Sequence, residues 1–337
     1  IPFDIYAIAG AEPDPTLKSA RLEDLDFLPA LSLIFSPKLK EGRGDLNIRL
    51  SGTRTLARPE FRELTPFLFR DYVAGFDKIG NPNLTSTRIW NGDLRVEWFP
   101  RKNEVLAVSA FVKQMQTPIE AMSSPVYALT WQNIDSAINA GGEFELRKSI
   151  DFLAPKANKR ARQVLRDFSI GGNVAVIYSS VRVTPCVLPG HEQDGYIVDP
   201  DCREEFQPPN GAVVRPLQGQ APWIANAFLD YDNSETGSNL RVLYNGVGRS
   251  LYAVGAQSLP NIYTRRTHQL DLIYTQRLVA YKRNEIGDLR NELSLTFEVN
   301  NILNTRKQLE QGGGSNIGVV RTTRDGLDLW IGLQWQY

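Results

Sequence analysis

The chain has 337 residues, and its 38 lysines and arginines are balanced by 38 aspartates and glutamates. A net charge of zero excludes a basic nucleic-acid-binding protein and an acidic disordered tail. Hydrophobic residues make up 42% of the chain, which excludes wholesale disorder. The sequence has no apolar run of about 18 residues and so predicts no transmembrane helix, but strands with alternating polarity would still span a membrane.

The N-terminal residues 1–10 do not combine a basic segment with an apolar core, so they are not predicted to be a signal peptide. We expect either that a leader has been removed or that the chain is part of a longer one. Length alone allows two ordinary domains or one large β architecture.

Apolar and polar residues alternate with a period of two from about residue 30 onward, as in β-strands with one apolar face. A clear case is 90–98, where Trp90, Leu94, Val96 and Trp98 oppose polar residues. Many runs exceed the roughly five or six residues of an ordinary strand. The sequence therefore predicts an all-β fold, with a long-stranded antiparallel sheet and part of a twelfth strand in 1–10. The eleven predicted strands are 30–40, 44–57, 86–99, 104–117, 129–149, 165–182, 219–231, 238–252, 266–281, 288–303 and 326–337.

The connections between these strands alternate in length. The tight, polar, turn-like connections are 40–44, 100–104, 232–237 and 282–288. The long connections that alternate with them are 58–85, 118–128, 183–218, 253–265 and 304–325. Short periplasmic turns and long extracellular loops are typical of outer-membrane β-barrels. The basic segment 151–164 is an exception on the short-turn side, where we expect a solvated turn.

Pairs of aromatic residues support a membrane-spanning barrel. Trp90 and Trp98 lie on one face eight residues apart, and so do Trp223 and Tyr231. Eight residues cover about 26 Å along a strand, or about 20 Å along the axis of a tilted barrel, which approaches the height of a lipid-facing band. The alternative is that these are core aromatics of a soluble β protein.

The last strand gives the cleanest two-faced pattern. Because side chains alternate along a strand, one set should face lipid and the other the barrel lumen. The apolar set is Leu327, Leu329, Ile331, Leu333, Trp335 and Tyr337, and the polar set includes Asp328, Gln334 and Gln336.

Charged residues on the polar faces of other strands are predicted to line the same lumen. A polar lumen holds water or a plug rather than lipid. The predicted lumen-facing residues are Asp93, Arg95, Glu97, Asp271, Arg277, Glu292 and Glu298.

The two cysteines, Cys186 and Cys202, lie in one Pro/Gly/Asp-rich stretch. There is no CxxC pair or further ligand to indicate zinc. We predict a disulfide bond between them, which would place the loop in an oxidising compartment. The alternative is two free thiols in a cytosolic loop.

The sequence indicates no catalytic, cofactor or metal site. His191 lies in the cysteine loop. His268, with an acid such as Asp271, is the pair that a barrel hydrolase would use. We interpret His268 instead as a polar residue at the rim of the barrel. The acidic residues around Cys202 lack the spacing of a calcium-binding loop.

Several motifs carry a family resemblance. Residues 54–67 (RTLARPEFRELTPF) and 80–84 (GNPNL) resemble a loop in the barrels of TonB-dependent outer-membrane receptors. Their order and spacing with 216–222 (PLQGQAP), 231–237 (YDNSETG) and 300–304 (NNILN) extend the resemblance over most of the chain. Its C-terminal strand looks like the assembly signal of outer-membrane barrels, in Leu333, Trp335 and Tyr337, although Phe is commoner than Tyr at the end.

The resemblance implies that 1–337 is the C-terminal portion of one β-barrel domain, about half of a barrel of about 22 strands. The plug domain and the TonB box of the family are not recognisable in this chain. The implied function is import of an unidentified nutrient through energised opening of the plug, without enzymatic chemistry. The implied partners are a TonB-type energy-transducing complex acting through the missing plug, outer-membrane lipid, the nutrient ligand and, as a further candidate, a surface lipoprotein; nucleic acid is not among them. The implied location is the outer membrane of a Gram-negative bacterium, with the C-terminus in the periplasm.

Two other functions remain open from the sequence. A passive porin-like or structural outer-membrane barrel would share the alternating strands, and so would a soluble β-rich binding module.

Overall fold

The computed structural model describes residues 22, 24–70, 76–123, 128–154, 158–182, 215–255, 260–280, 292–313 and 316–336. Within these ranges the chain forms two sheets, two short α-helices and one 3-10 helix. The strands, numbered in chain order through both sheets, are β1 (Ala30–Phe35), β2 (Asp45–Ala57), β3 (Leu68–Arg70), β4 (Asp77–Ile79), β5 (Thr87–Phe99), β6 (Val105–Gln116), β7 (Ile119–Ser123), β8 (Ala128–Asn133), β9 (Ser136–Ser149), β10 (Phe168–Arg182), β11 (Trp223–Asn233), β12 (Ser238–Val247), β13 (Ser250–Gly255), β14 (Ile262–Thr264), β15 (Thr267–Ala280), β16 (Glu292–Asn300), β17 (Arg306–Gly313), β18 (Asn316–Arg324) and β19 (Asp328–Gln336).

The main sheet has eleven strands in the order β1-β2-β5-β6-β9-β10-β11-β12-β15-β16-β19. Neighbours in it are antiparallel and follow chain order, so successive connections fall at opposite ends of the sheet. The all-β fold is confirmed, and each of the eleven predicted ranges contains or overlaps one strand of the main sheet. The main sheet is not closed into a barrel, because β1 and β19 each pair with a single neighbour among the described residues.

The two ends of the main sheet differ as the connection lengths predict. The links 36–44, 100–104, 150–167 and 234–237 lie at one end, which we call the short-turn end. The links that contain the other eight strands leave from the opposite, long-loop end.

One face of the main sheet is apolar across neighbouring strands. Val96, Val108, Phe144, Val174 and Ala225 are direct partners in succession from β5 to β11. Large side chains on this face are exposed, and Leu333 and Trp335 of β19 reach 68% and 71% exposure. An exposed apolar face of this extent is expected where lipid rather than water is the solvent.

The second sheet, which we call the loop sheet, has the order β18-β17-β14-β13-β7-β8-β4-β3. Its strands come in pairs from four different long-loop connections, and the pairs β4–β8 and β13–β7 are parallel. Three predicted ranges are corrected here. The predicted strands 129–149 and 238–252 are each divided between the two sheets, and the predicted loop 304–325 contains the β17–β18 hairpin.

Between β12 and β13 the chain passes through Gly248, which lies close to β11. Its backbone N–H donates to the carbonyl of Trp223 at 2.9 Å, and a side chain at this position would press on Pro222 and Trp223. The predicted strand 238–252 ends at Val247 in the main sheet, and a strand of the loop sheet begins at Ser250.

The hydrophobic core clusters of the described chain lie at the long-loop end. One contains Phe76, which precedes β4, together with Leu129 of β8, Ala253 of β13 and Ile262 of β14. A second cluster joins β7 to β13, and a third lies where β6, β9 and β10 reach this end. The long loops therefore pack into an ordered body of their own.

The helices are short and lie in connections. Helix α1 (Phe61–Leu64) begins with a capping box in which the backbone N–H of Glu60 donates to Glu63. The link 150–167 contains a 3-10 helix (Ile150–Leu153) followed by α2 (Lys159–Arg166), so it is helical rather than the turn expected there. Among the described residues, no helix has the length and apolar content that crossing a bilayer requires.

Candidate functional site

The seven residues predicted to face the lumen share one face of the main sheet. Strand parity puts Asp93, Arg95 and Glu97 together on β5, opposite the apolar face. Directly paired residues of neighbouring strands lie on the same face of a sheet. Ile273 of β15 is on the polar face and pairs with Glu298 of β16, so Glu298 lies on that face too. The remaining members, by the same register, are Asp271, Arg277 and Glu292. That this face lines a lumen stays a prediction.

Arg95 is the centre of an ionic network on this polar face. Its Nε donates to Oε1 of Glu97 at 2.7 Å, and its Nη1 donates to the hydroxyl of Ser109 at 3.0 Å. A further hydrogen bond reaches Glu145 on β9, and Arg49 of β2 pairs with the second carboxylate oxygen of Glu97 at 3.0 Å. The network therefore ties four neighbouring strands together and satisfies charges on a half-buried surface.

A row of amides continues the polar face from β9 across three further strands, β10 to β12, a feature that the sequence alone did not predict. Asn245 donates to Asn226 at 2.7 Å, Asn226 donates to Asn173 at 2.9 Å, and Asn173 donates to Glu143 at 2.6 Å. Each of these residues is at a polar position in the alternation of its strand, so the alternation alone could have predicted that they lie on the polar face. The direct alignment depends on register, which parity does not give.

Asp271 and Arg277 lie toward opposite ends of β15 and have structural partners. Asp271 accepts the backbone N–H of Asn301 at 2.7 Å, where Asn301 has a positive φ of 56°. Arg277 donates to the carbonyl of Ser234 at 2.6 Å in the β11–β12 turn. Each therefore stabilises a connection next to the sheet.

His268 and Asp271 do not form a catalytic pair. His268 lies on the apolar face of the main sheet, whereas Asp271 lies on the polar face. The imidazole Nδ1 lies 2.7 Å from the hydroxyl of Tyr244, and the ring lies near Trp223. The alternation of Leu270, Leu272 and Tyr274 in the sequence already predicted that His268 and Asp271 lie on opposite faces. Among the described residues, no three metal-binding side chains are grouped together.

Aromatic side chains mark both ends of the apolar face. At the short-turn end, the rings of Phe168 and Tyr231 are 4.7 Å apart, and the indole of Trp98 donates to the carbonyl of Arg43 at 2.8 Å. At the long-loop end lie Trp223, with its His268 neighbour, and Trp90, whose ring lies 5.5 Å below the guanidinium of Arg54. Such paired aromatic bands are found at the two boundaries of a membrane.

The loop sheet contains two neighbouring cavities. One of about 330 Å³ is lined by Lys78, Trp131, Gln218 and Tyr252, among others. A second of about 300 Å³ shares Tyr252 and Thr264 with it and is also lined by Lys307 and Arg321. Basic and aromatic groups therefore line two neighbouring cavities that the topology puts at the long-loop end.

A buried ion pair fixes the wall of the first cavity. Glu120 is 1% exposed, and its carboxylate accepts a hydrogen bond from Nη1 of Arg215 at 2.9 Å and one from the backbone N–H of Gln218 at 2.8 Å. The Gln218 side chain then joins the backbone of Ala121 on β7 to that of Tyr252 on β13. The motif 216–222 noted in the sequence thus holds two segments of the loop sheet together.

Three predicted residues lie outside the described ranges. Cys186 and Cys202 are among them, and no disulfide occurs among the described residues, so their bond stays a prediction. Tyr337 also lies outside, while Leu333 and Trp335 of the predicted insertion signal sit on the exposed apolar face.

Comparisons with known proteins agree with this architecture. The family described as TonB dependent receptor-like, beta-barrel, matches residues 4–302. No curated protein is similar enough to this chain to count as a match. A crystal structure of a mutant ferric enterobactin receptor from Pseudomonas aeruginosa has a TM-score of 0.51 and 17% identity, over 90% of this chain and 40% of that one. The copper transporter OprC has a TM-score of 0.53 and 13% identity, over 91% of this chain and 39% of that one.

The chain thus spans about 40% of the length of these solved structures. Their low identities show likeness of fold alone, whereas the family match covers most of the chain. The chain belongs to the TonB-dependent receptor β-barrel family.

Proposed function

We propose that this chain forms part of an outer-membrane receptor that imports a nutrient into a Gram-negative bacterium. The family match over residues 4–302 is the main observation behind this proposal. The main sheet supports it, because one of its faces is apolar and exposed and the other is polar and hydrogen-bonded. Aromatic bands at both ends of the apolar face support a membrane-spanning position.

The chain supplies about half of a barrel of about 22 strands, and the open edges of β1 and β19 pair with further strands of the receptor. Coverage of about 40% of the related structures supports this division. A plug domain fills the completed barrel and faces the Arg95 network and the asparagine row. The side chains of these two networks form hydrogen bonds with the plug, and water can replace those bonds when the plug moves.

Transport is driven from the periplasm. A TonB-type complex pulls on the plug, using the proton gradient of the inner membrane, while the barrel binds and guides without covalent chemistry. The short-turn end and the C-terminus lie in the periplasm, and the long loops lie outside the cell. The alternation of connection lengths along the main sheet supports this orientation.

The nutrient first contacts the loop sheet, at the cavities around Tyr252. An ammonium at Lys78 and aromatic rings at Trp131 and Tyr252 favour a ligand that has a planar part and negative charge. A surface lipoprotein partner stays a prediction.

Uptake by cells that lack the gene and by complemented cells tests this function. The probes are ferric siderophores, copper, cobalamin and oligosaccharides, each supplied as the limiting nutrient. We expect one class to depend on the gene, and a protonophore to abolish that dependence. Gene-dependent uptake that persists without the proton gradient would instead indicate a passive porin-like barrel.

A further inference from the structure

The link between β9 and β10 is unlike the other described links at the short-turn end. It contains two helices, whereas the neighbouring links are turns. Residues 148–166 carry six basic residues and one acidic residue, in a chain whose net charge is zero. We call Lys148, the 3-10 helix Ile150–Leu153 and α2 the basic rim.

Apolar side chains of the basic rim continue the apolar face of the main sheet. Lys148 pairs with Ile170 and shares the parity of Leu146 and Phe144. Its Nζ lies 5.8 Å from the ring centre of Phe152, so Phe152 stands next to the apolar face. Phe152 and Leu153 are 55% and 64% exposed.

The acidic groups of this region are occupied by internal partners. Asp151 is buried and binds Arg101, with Arg166 at 3.5 Å, and Glu104 binds Arg101 and lies 3.8 Å from Lys148. Within the part of the chain that the structure describes, Arg160 and Arg162 of α2 make no ion pair. Uncompensated positive charge is therefore left beside exposed apolar groups.

We propose that the basic rim binds the anionic headgroups of phospholipids in the periplasmic leaflet, a proposal that rests on the proposed outer-membrane function and orientation. Phe152 and Leu153 enter the acyl boundary, and Arg160 and Arg162 contact the phosphates. Charge complementarity and continuity with the apolar face identify lipid as the occupant. The Arg101 hydrogen bonds hold the rim at a fixed height relative to the sheet.

Lipid binding by the purified protein in detergent tests the proposal. Phosphatidylglycerol and phosphatidylcholine are titrated separately, and bound lipid is counted by native mass spectrometry. The double variant Arg160→Gln with Arg162→Gln should bind phosphatidylglycerol about fivefold more weakly for each charge removed, with little change for phosphatidylcholine. The matched control is Lys40→Gln with Lys102→Gln, which removes two exposed basic groups from other turns at the same end and should bind as the wild type does.

Equal phosphatidylglycerol binding by the wild type and the Arg160/Arg162 variant would overturn the proposal, as would an equal loss in the control. A second measurement tests the apolar part without relying on charge. In proteoliposomes, the additional tryptophan fluorescence of Phe152→Trp should be quenched by brominated lipid, and absence of quenching would also overturn it. Heat-modifiable migration of the wild type in phosphatidylcholine bilayers is checked first, because a failure to insert would refute the proposed function itself.

Discussion

Arg101 and Asp151 are joined by two hydrogen bonds, from Nη1 to Oδ2 at 2.8 Å and from Nη2 to Oδ1 at 2.9 Å. Arg101 also donates from Nε to Glu104 at 3.0 Å, so one guanidinium ties the β5–β6 turn to the 3-10 helix after β9. The hydrogen bonds from Arg101 lower the pKa of Asp151 from 3.8 to about 2. Burial raises the pKa of Glu104, but the hydrogen bond and charge of Arg101 outweigh it and the pKa is lowered overall.

These lowered pKa values predict acid sensitivity at the short-turn end. A carboxyl group with a depressed pKa stabilises the folded state above its ordinary pKa, and this stabilisation is lost as the pH falls through the folded value. For Asp151 the loss should run from about pH 3.8 to about pH 2. Asp151→Asn should lower stability at neutral pH and flatten the profile in this window.

The measurement is the folded fraction by heat-modifiable gel migration across that pH range. Glu235→Gln, an exposed change in the β11–β12 turn at the same end, is the control and should follow the wild type. Identical profiles for Asp151→Asn and the wild type would refute a stabilising role of the Arg101–Asp151 pair.

Two glycines of the β1–β2 turn predict unequal effects of the same substitution. Gly42 and Gly44 both have positive φ, 79° and 76°, but only a methyl group at Gly44 would overlap the carbonyl of Phe99. Gly42→Ala should cost about 1 kcal/mol from backbone conformation. Gly44→Ala should cost about 1–3 kcal/mol more because β5 must shift. Thermal unfolding by heat-modifiable migration measures both, and equal losses would contradict the contact with Phe99.

The sequence predicts the main sheet well because its signal is local. Alternation in 292–299 predicts the apolar face of β16, and the structure pairs Phe297 of that face with Ile331 of β19. The loop sheet is not predictable in this way. Its three-residue strands β3, β4 and β14 are too short for a period, and the parallel pair of Met122 with Val254 joins loops that are far apart in the chain.

The candidate site, too, is predictable from the sequence only in part. Parity predicted that Arg95 and Glu97 share a polar face, but not that Arg95 also reaches Glu145 fifty residues away. Likewise, Asn173, Asn226 and Asn245 are polar positions in three strands, and only the register aligns them. The cavity around Trp131 depends on four loops packing together, which no local pattern reports.

The cavity predicts a localised effect on ligand binding. Trp131→Ala removes an aromatic surface from the first cavity, so binding of the imported nutrient should weaken by about tenfold, as for an aromatic contact of 1–2 kcal/mol. Trp330→Ala is the matched control, because Trp330 lies on the polar face of β19, paired with Glu298. Titration of the purified receptor with the nutrient identified by uptake measures both. Equal weakening in the two variants would argue against the cavity as the ligand site.

The orientation predicts which sites are reachable from outside the cell. Ser234 lies in the β11–β12 turn at the short-turn end, and Thr322 lies on the β17–β18 hairpin of the loop sheet. With Cys186 and Cys202 replaced by serine, a cysteine at Thr322 should react with a membrane-impermeant maleimide on intact cells, and one at Ser234 should react only after lysis. Labelling of Ser234 alone on intact cells would reverse the orientation.

The last strand predicts opposite outcomes for the same charge on its two faces. Ile331 lies on the exposed apolar face beside Phe297, while Gln334 pairs with Ser294 on the polar face. An arginine on a lipid-facing position near mid-membrane costs about 2–4 kcal/mol, whereas one that faces a polar lumen costs much less. Ile331→Arg should therefore lower the amount of folded protein in the outer membrane, and Gln334→Arg should not. Quantitative immunoblotting of outer-membrane fractions measures both, with heat-modifiable migration to confirm folding. If the two variants reached the outer membrane equally well, the apolar face of β19 would not face lipid.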